Sequence, residues 1–353
     1  MLLANGDPST MTETAEPLAT VIVTQRERFG MTEESLDSLY DHIGDDVEVV
    51  VVDGNSPPSK KAYLEHAAKE RGFTLIRREN FLIPNQARNI GAAAAKTRYV
   101  AFVDNDVIYS DGWLERLIDC AEDTGAAVVA PLTCHGLPAH SEIHHAGGDY
   151  AIGGDMDAFI AANDDEDRPF DEVMHGHGDK VAEWQGKLAR KVTGMCEFHC
   201  VLVRKDVFAK TGPLDEGLLS TKEHIDFSMA VREAGEEVWF EPSSVITYVF
   251  PCRARPLNRE DWPFFALRWS TEYGSRSLKH FIAKWRLRTK PDYVAEKEHI
   301  YATRRMQGIL IPMMRQIPVM GRNARFARVA ARVSQPVEMA VNRALVGWHD
   351  RRS

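Results

Sequence analysis

The 353-residue chain has no G-x-G-x-x-G after its first candidate strand and no G-x-x-x-x-G-K-[ST] anywhere. This excludes the glycine-rich phosphate loops of dinucleotide-binding and P-loop proteins. No run of apolar residues reaches the roughly 18 that a membrane-spanning helix needs. The opening "MLLANGDPSTMTETAEPLAT" has no signal-peptide core, so residues 1–18 read as a disordered leader. Five cysteines, at 120, 134, 196, 200 and 252, are too few and too odd for a disulfide framework, and reduced thiols in a cytoplasmic protein are expected. Cys196 and Cys200, with His199 between them, read as strand packing rather than as metal ligands. Internal repeats and low-complexity tracts are absent.

What is present is a globular composition, 44% hydrophobic and 27% charged, with an uneven distribution of charge. From Arg276 to the end, 17 Lys+Arg stand against 5 Asp+Glu, whereas the whole chain has a net charge of −9. The acidic body argues against a nucleic-acid binder. The basic tail suits an anionic membrane surface, a polyanionic acceptor or another protein.

Strand and helix patterns alternate from residue 19 to 120. "ATVIVT" (19–24), "VEVVVVDGN" (47–55), "FTLIRR" (73–78) and "YVAFVD" (99–104) read as strands. Between them, 33–43, 57–72 and 84–96 read as helices, the second opened by prolines and closed by a glycine. That alternation predicts a parallel, doubly wound α/β sheet. Helix 111–124 and strand 126–131 follow, and then the regularity breaks. Residues 133–190, with eight glycines and the acidic "NDDEDRPFDE" (163–172), read as a surface excursion. Strand and helix resume over 192–208, a helix closes at Gly235, and 237–250 is the last strand of the body. From 261 the chain reads as helical, aromatic and basic.

The polar residues gather at strand ends: Thr24 with Gln25 and Arg26, Asp53 with Asn55, and Asp104 with Asp106. In open α/β sheets the carboxyl ends of the strands line the ligand crevice. Two carboxylates one residue apart repel unless a cation lies between them, and a divalent metal carrying a phosphorylated ligand meets that need. Asp53 is placed to accept bonds from a base or ribose. Arg88 and Asn89, on the helix before the fourth strand, are placed to reach a pyrophosphate. Each aspartate taken singly could equally be a helix cap. Together they outline a nucleoside-diphosphate site. "VAFVDNDV" also fits the D-x-D-x-[TV] of haloacid dehalogenase-type phosphatases, with Asp104 as nucleophile and Asp106 as general acid. In that family, however, the strand stands near the start of the domain, and here several strand–helix units precede it.

The blocks "VIVTQRER", "VVVVDGN", "PNQARNIGAAAAKTRYVAFVDNDV", "IHHAGGDYAIGG", "VTGMCEFHCVLVRKDVFAKTGPLDEG" and "KEHIDFSMAVREAG" resemble, in order, family 2 glycosyltransferases of the GT-A fold over about residues 19–250. The resemblance implies a mixed, mostly parallel sheet flanked by helices, and inverting transfer from a nucleotide-diphosphate sugar to a glycan, glycolipid or other envelope-type acceptor. It implies Mg²⁺ or Mn²⁺ at the D-x-D motif, with Asp106 on the metal and Asp104 at the metal, ribose or sugar. Thr24, Arg26, Asp53, Asn55, Arg88, Asn89 and Gly194 would line the donor. "KEHIDF" stands where the family has its general base, and there this chain has Glu223, His224 and Asp226, with a histidine in place of the usual second acid. Glu223 ranks slightly ahead of Asp226, and His224 could take the same role, since the unperturbed imidazole titrates near neutral. The alternative is that this segment is only the acidic start of a helix, in which case the protein binds a nucleotide sugar without turning it over. The family's metal-binding histidine after the last strand is missing from "SVITYVFPC". His144, His145, His175 and His177 are substitutes by chemistry.

The expected organisation is a leader (1–18), a catalytic domain (19–255, divided near 131) and a helical basic extension (256–353). In the extension, the aromatics up to about Trp285 are expected to dock on the body. The remainder is expected to meet the inner face of a membrane, or a partner.

Overall fold

The computed structural model describes residues 17–26, 28–151, 158–159, 168–250, 256–318 and 323–352. The expected leader up to residue 16, most of the acidic stretch at 163–167 and the segment 251–255 lie outside the described residues.

Strands β1 (Ala19–Thr24), β2 (Glu48–Gly54), β3 (Thr74–Arg78) and β4 (Tyr99–Asp104) pair in parallel in the order β3-β2-β1-β4. The apolar runs of β1, β2 and β4 are buried on both faces, as a sheet covered by helices on either side requires, whereas β3 is the half-buried edge. On one face Val21, Val23, Val51 and Val103 pack with Leu36, Leu64 and Trp113 from helices α1 (Thr32–Tyr40), α2 (Pro58–Arg71) and α4 (Trp113–Thr124). On the other, Ile22, Val52 and Phe102 meet Ala87 of α3 (Pro84–Ala94) and Phe227 and Val231 of α5 (Glu223–Glu233). Proline opens α2, and Gly72, at φ 77°, ends it in the left-handed conformation that costs glycine little.

Beyond β4 the sheet stops being purely parallel. After β5 (Val107–Tyr109) and β6 (Val128–His135), the chain makes three short strands, β7 (Ile143–His145), β8 (Gly148–Ala151) and β9 (Arg168–Met174). Then come β10 (Lys191–Val192), β11 (Cys200–Arg204) and β12 (Val238–Tyr248). β11 inserts antiparallel between β4 and β6, and β12 lies parallel to β6. The reversed β11 therefore starts where β1 and β4 end.

Two expectations need correction. The stretch 133–190 is not simply a surface excursion, because Ile143 and Tyr150 are fully buried and β7 joins the main sheet. Strands of three or four residues among glycines carry too little period-2 pattern to be seen in the sequence. The extension also docks well past Trp285. β13 (Leu287–Arg288) pairs with Arg168 and Pro169 of β9, and His349, near the end of the last helix, contacts the Phe81 carbonyl. Before that, α6 (Trp262–Arg268) and α7 (Thr271–Trp285) bury Phe264, Phe281 and Trp285 as expected.

Helix α3 carries Arg88 to the crevice, and its seat depends on Gly91. A Cβ there would lie 2.2 Å from Cγ2 of Ile22. Gly91→Ala is expected to destabilise the protein by roughly 1–3 kcal/mol through overpacking. Chemical denaturation checks this, and an unchanged midpoint would show that α3 shifts without cost.

Candidate active site

Asp104 ends β4 with no exposed surface, in register with Thr24 at the end of β1. Its Oδ2 accepts from Arg26 Nη1 at 3.0 Å and faces Nδ1 of His199 at 2.9 Å. Its Oδ1 accepts from Thr24 Oγ1 at 3.3 Å and Arg88 Nη2 at 3.4 Å. Burial alone would raise its pKa, but Arg26, His199 and Arg88 together hold the carboxyl well below the usual range. Arg88 is itself wholly buried, with its guanidinium 4.1 Å from the Phe198 ring, and burial lowers its pKa to about 10.

Asn105, between the two aspartates, is a buried staple. Its amide donates to Gln25 Oε1, the Arg28 carbonyl and Thr32 Oγ1 at 3.0–3.1 Å and accepts from the Arg26 amide at 2.7 Å. These bonds fix the loop after β1 against the loop after β4. Asp106 is 2% exposed, and its carbonyl accepts from Val249 N at 2.8 Å. Oxygen atoms of Asp104 and Asp106 and a ring nitrogen of His199 lie within 4.8 Å of one another.

The structure thus brings Thr24, Arg26, Arg88, Asp104 and Asp106 together. Asp53 stands at the end of neighbouring β2, but its carboxylate takes Ser56 N at 3.0 Å, Ser56 Oγ at 2.9 Å and an ion pair with Arg77. Asn55 follows it at φ 58°. Asn89 does not face the cluster: its amide donates to the Leu214 carbonyl and accepts from Leu214 N, clamping the loop before α5. Gly194 donates its N–H to the Gly148 carbonyl at 2.8 Å.

The three base candidates separate by partner. Asp226 accepts from Trp285 Nε1 at 2.7 Å and Lys284 Nζ at 2.9 Å, so it anchors α7. Glu223 pairs with Arg268 at 3.0 Å, and the charges of Arg268, Arg26 and Arg88 outweigh burial to lower its pKa. His224 has a more exposed side chain than either (20%), and its Nε2 lies 3.4 Å from Glu197 Oε1.

Sequence reasoning missed Glu197 and set aside His199. Because β11 runs antiparallel, the residues that reach the crevice precede this strand instead of following it. No strand alternation marks Glu197 and His199, because both precede β11 and lie outside it. His199 also stacks on Tyr248, ring centroids 3.9 Å apart and 14° from parallel. Beside them stands His144, its ring 5.3 Å from that of His199. His145 is fully buried, and burial brings its pKa to about 4. His175 pairs with Asp149.

A mostly parallel sheet with helices on both faces and a D-x-D at the end of its central strand is the GT-A architecture. Residues 20–166 match the model described as Glycosyl transferase family 2, so this part of the chain is similar to that family. It is 50% identical over 165 residues to the pre-mycofactocin glycosyltransferase of Mycobacterium tuberculosis, covering 47% of this chain and 30% of that one. It is 31% identical over 114 residues to the uncharacterized glycosyltransferase EpsJ of Bacillus subtilis, covering 32% and 33%. The succinoglycan biosynthesis protein ExoM of Rhizobium meliloti is 33% identical over 94 residues, covering 25% and 29%. The chain spans about a third of the length of these relatives. Among solved structures, a mannosyltransferase from Pyrobaculum calidifontis with GDP-Man and Mn²⁺ aligns at a TM-score of 0.49 and 15% identity, over 91% of this chain and 88% of that one.

Asp104→Asn would leave Arg88 buried beside a neutral group. Loss of one partner of a buried pair typically costs about 3–5 kcal/mol, so the variant is expected to unfold at markedly lower denaturant. Wild-type stability in it would mean that Arg88 is neutralised by another group.

Proposed function

We propose that the protein is an inverting, metal-dependent glycosyltransferase that moves a sugar from a nucleoside-diphosphate sugar to a hydroxyl of a glycan, glycolipid or similar acceptor. The observation that carries this reading is the cluster of Asp104, Asp106, Arg26 and Arg88 at the carboxyl edge of the sheet, within a family 2 domain. Asp53 and Asn55, on the adjoining strand end, extend the crevice toward the nucleoside. The two carboxylates fit Mn²⁺ or Mg²⁺, which Asp106 would hold with Asp104. When bound there, a divalent ion supplies positive charge that stabilises the departing diphosphate.

The chain's own residues supply the proton acceptor. With Nε2 of His224 directed at Glu197, Nδ1 carries the lone pair that takes the acceptor hydroxyl's proton. The hydroxyl oxygen bonds to the anomeric carbon as the bond to the diphosphate oxygen breaks, and that electron pair leaves with the diphosphate. Glu197 orients the imidazole and stabilises its protonated form. Glu223, tied to Arg268, organises the charges behind it, and Asp226 secures α7.

The extension adds a surface. Helix α8 (Ala324–Asp350) buries Ala327, Ala331, Asn342, Val346 and His349 on one side. Phe326, Val329, Val333, Val337 and Val341, each 57–75% exposed, form a stripe on another side, spaced three and four apart. Arg325, Arg332 and Arg343 border its edge. An apolar stripe with flanking cations suits the headgroup boundary of an anionic bilayer, which would place the enzyme at the inner membrane face. No helix among the described residues is long and apolar enough to cross a membrane.

His224→Ala is expected to lower turnover by roughly two orders of magnitude or more with donor affinity retained, as loss of a general base does. Release of nucleoside diphosphate measures it. If Glu223→Gln has that effect and His224→Ala is near normal, the carboxylate is the base. If the wild type binds nucleotide sugars without releasing diphosphate, the protein is a binder.

For the surface, Val333→Asp with Val337→Asp is expected to abolish flotation with phosphatidylserine-containing vesicles at low salt while leaving the fold unchanged. Equal flotation of this variant removes the membrane role. Concentration-dependent dimerisation of the wild type, lost in the variant, would make a second copy the occupant.

A further inference from the structure

The molecule holds a second group of donors that the reading above does not use as a unit. His144 comes from β7, and Glu197 and His199 come from the segment entering β11. Ligand atoms of these three lie within 4.8 Å of one another. We propose that His144, Glu197 and His199 form a binding site for a borderline divalent transition metal, such as Mn²⁺, Fe²⁺, Co²⁺ or Zn²⁺, in preference to Mg²⁺.

Three observations on side-chain placement carry this. First, His199 is held as a metal-binding histidine is held. Its Nδ1 faces the buried Asp104 carboxylate at 2.9 Å, which fixes the proton on that nitrogen and leaves the Nε2 lone pair for a ligand. Its ring is clamped flat against Tyr248. Second, Nδ1 of His144 is buried and has no hydrogen-bond partner. A polar atom left so inside a protein calls for an explanation, and an ion is one that the neighbouring donors supply. Third, Phe198 packs the other way, against Phe102 and under Arg88, so Glu197 and His199 share a side.

The donor chemistry sets the metal class. Two imidazoles and one carboxylate suit zinc and the later first-row metals, whereas Mg²⁺ prefers oxygen donors throughout.

The site adjoins the Asp104–Asp106 pair through His199, and the two groups must be told apart. The experiment is titration of chelator-stripped, full-length protein with Co²⁺ in the absence of any nucleotide. Visible ligand-field absorption reports nitrogen coordination. The wild type is expected to bind Co²⁺ with such a spectrum, to lose it to Zn²⁺ and to keep it in excess Mg²⁺. Outer-shell changes alone cost about 10–100-fold in metal affinity, so Glu197→Gln and His144→Ala should each weaken binding by at least about tenfold. Asp106→Asn should retain both the spectrum and the affinity. Circular dichroism confirms the fold of each variant, and Glu197→Gln, nearly isosteric, serves alone if His144→Ala is unfolded. Wild-type affinity in Glu197→Gln, or no Co²⁺ spectrum in the wild type, overturns the proposal. Loss of all binding in Asp106→Asn overturns it too, because the ion then belongs to the carboxylate pair. No outcome depends on glycosyl transfer, so failure here leaves that reading standing, and the reverse holds as well.

Discussion

Where β1, β4 and β11 meet, the carboxylate of Asp104 is closed off from water with two arginines and a histidine against it. A charge in that position is tolerable only when it is paired and hydrogen-bonded. Meeting that condition determines much of the surrounding structure. Arg26 must follow β1, α3 must lie close enough on the sheet to bring Arg88, and β11 must run backwards so that His199 arrives from its start. Removal of the acid leaves two guanidinium groups facing each other across the crevice.

The same region shows how one tripeptide divides its duties. Asp104 is a structural charge that also faces the crevice, and Asn105 ties two loops together through four hydrogen bonds. Asp106, held through its backbone by Val249, stands beside the donor groups that suit a metal. The two outer acids are therefore not equivalent, although the motif writes them alike.

A second set of ion pairs joins the extension to α5. Asp226 on α5 takes Lys284 and Trp285 from α7, and Glu223 takes Arg268 from α6. The acids that open α5 thus serve two purposes: they favour the helix start electrostatically, and they seat the extension.

How much was legible in the residues can be judged position by position. The parallel half was clear, because buried β-branched runs alternating with proline-opened, glycine-closed helices leave few other arrangements. The motif blocks carried the resemblance to family 2 glycosyltransferases. Thr24, Arg26, Arg88 and Asp104 could be placed together because they sit at the ends of parallel strands, and parallel strands end on one edge. Asn89 was misjudged, since its neighbour on the helix points to the crevice and it points to the loop at Leu214. The short strands at 143–151 were invisible, for lack of length.

By itself the sequence determined the strand–helix alternation, the acids at one sheet edge and the uneven charge of the tail, each a local property of consecutive residues. Only the tertiary structure brought Glu197 and His199 beside His144 and the end of β4. The direction of β11 is set by which strands it pairs with, and no local pattern records that choice. It likewise decided that Asp226 anchors a helix, because Lys284 and Trp285 lie almost sixty positions away and meet it only when the sheet has closed the distance.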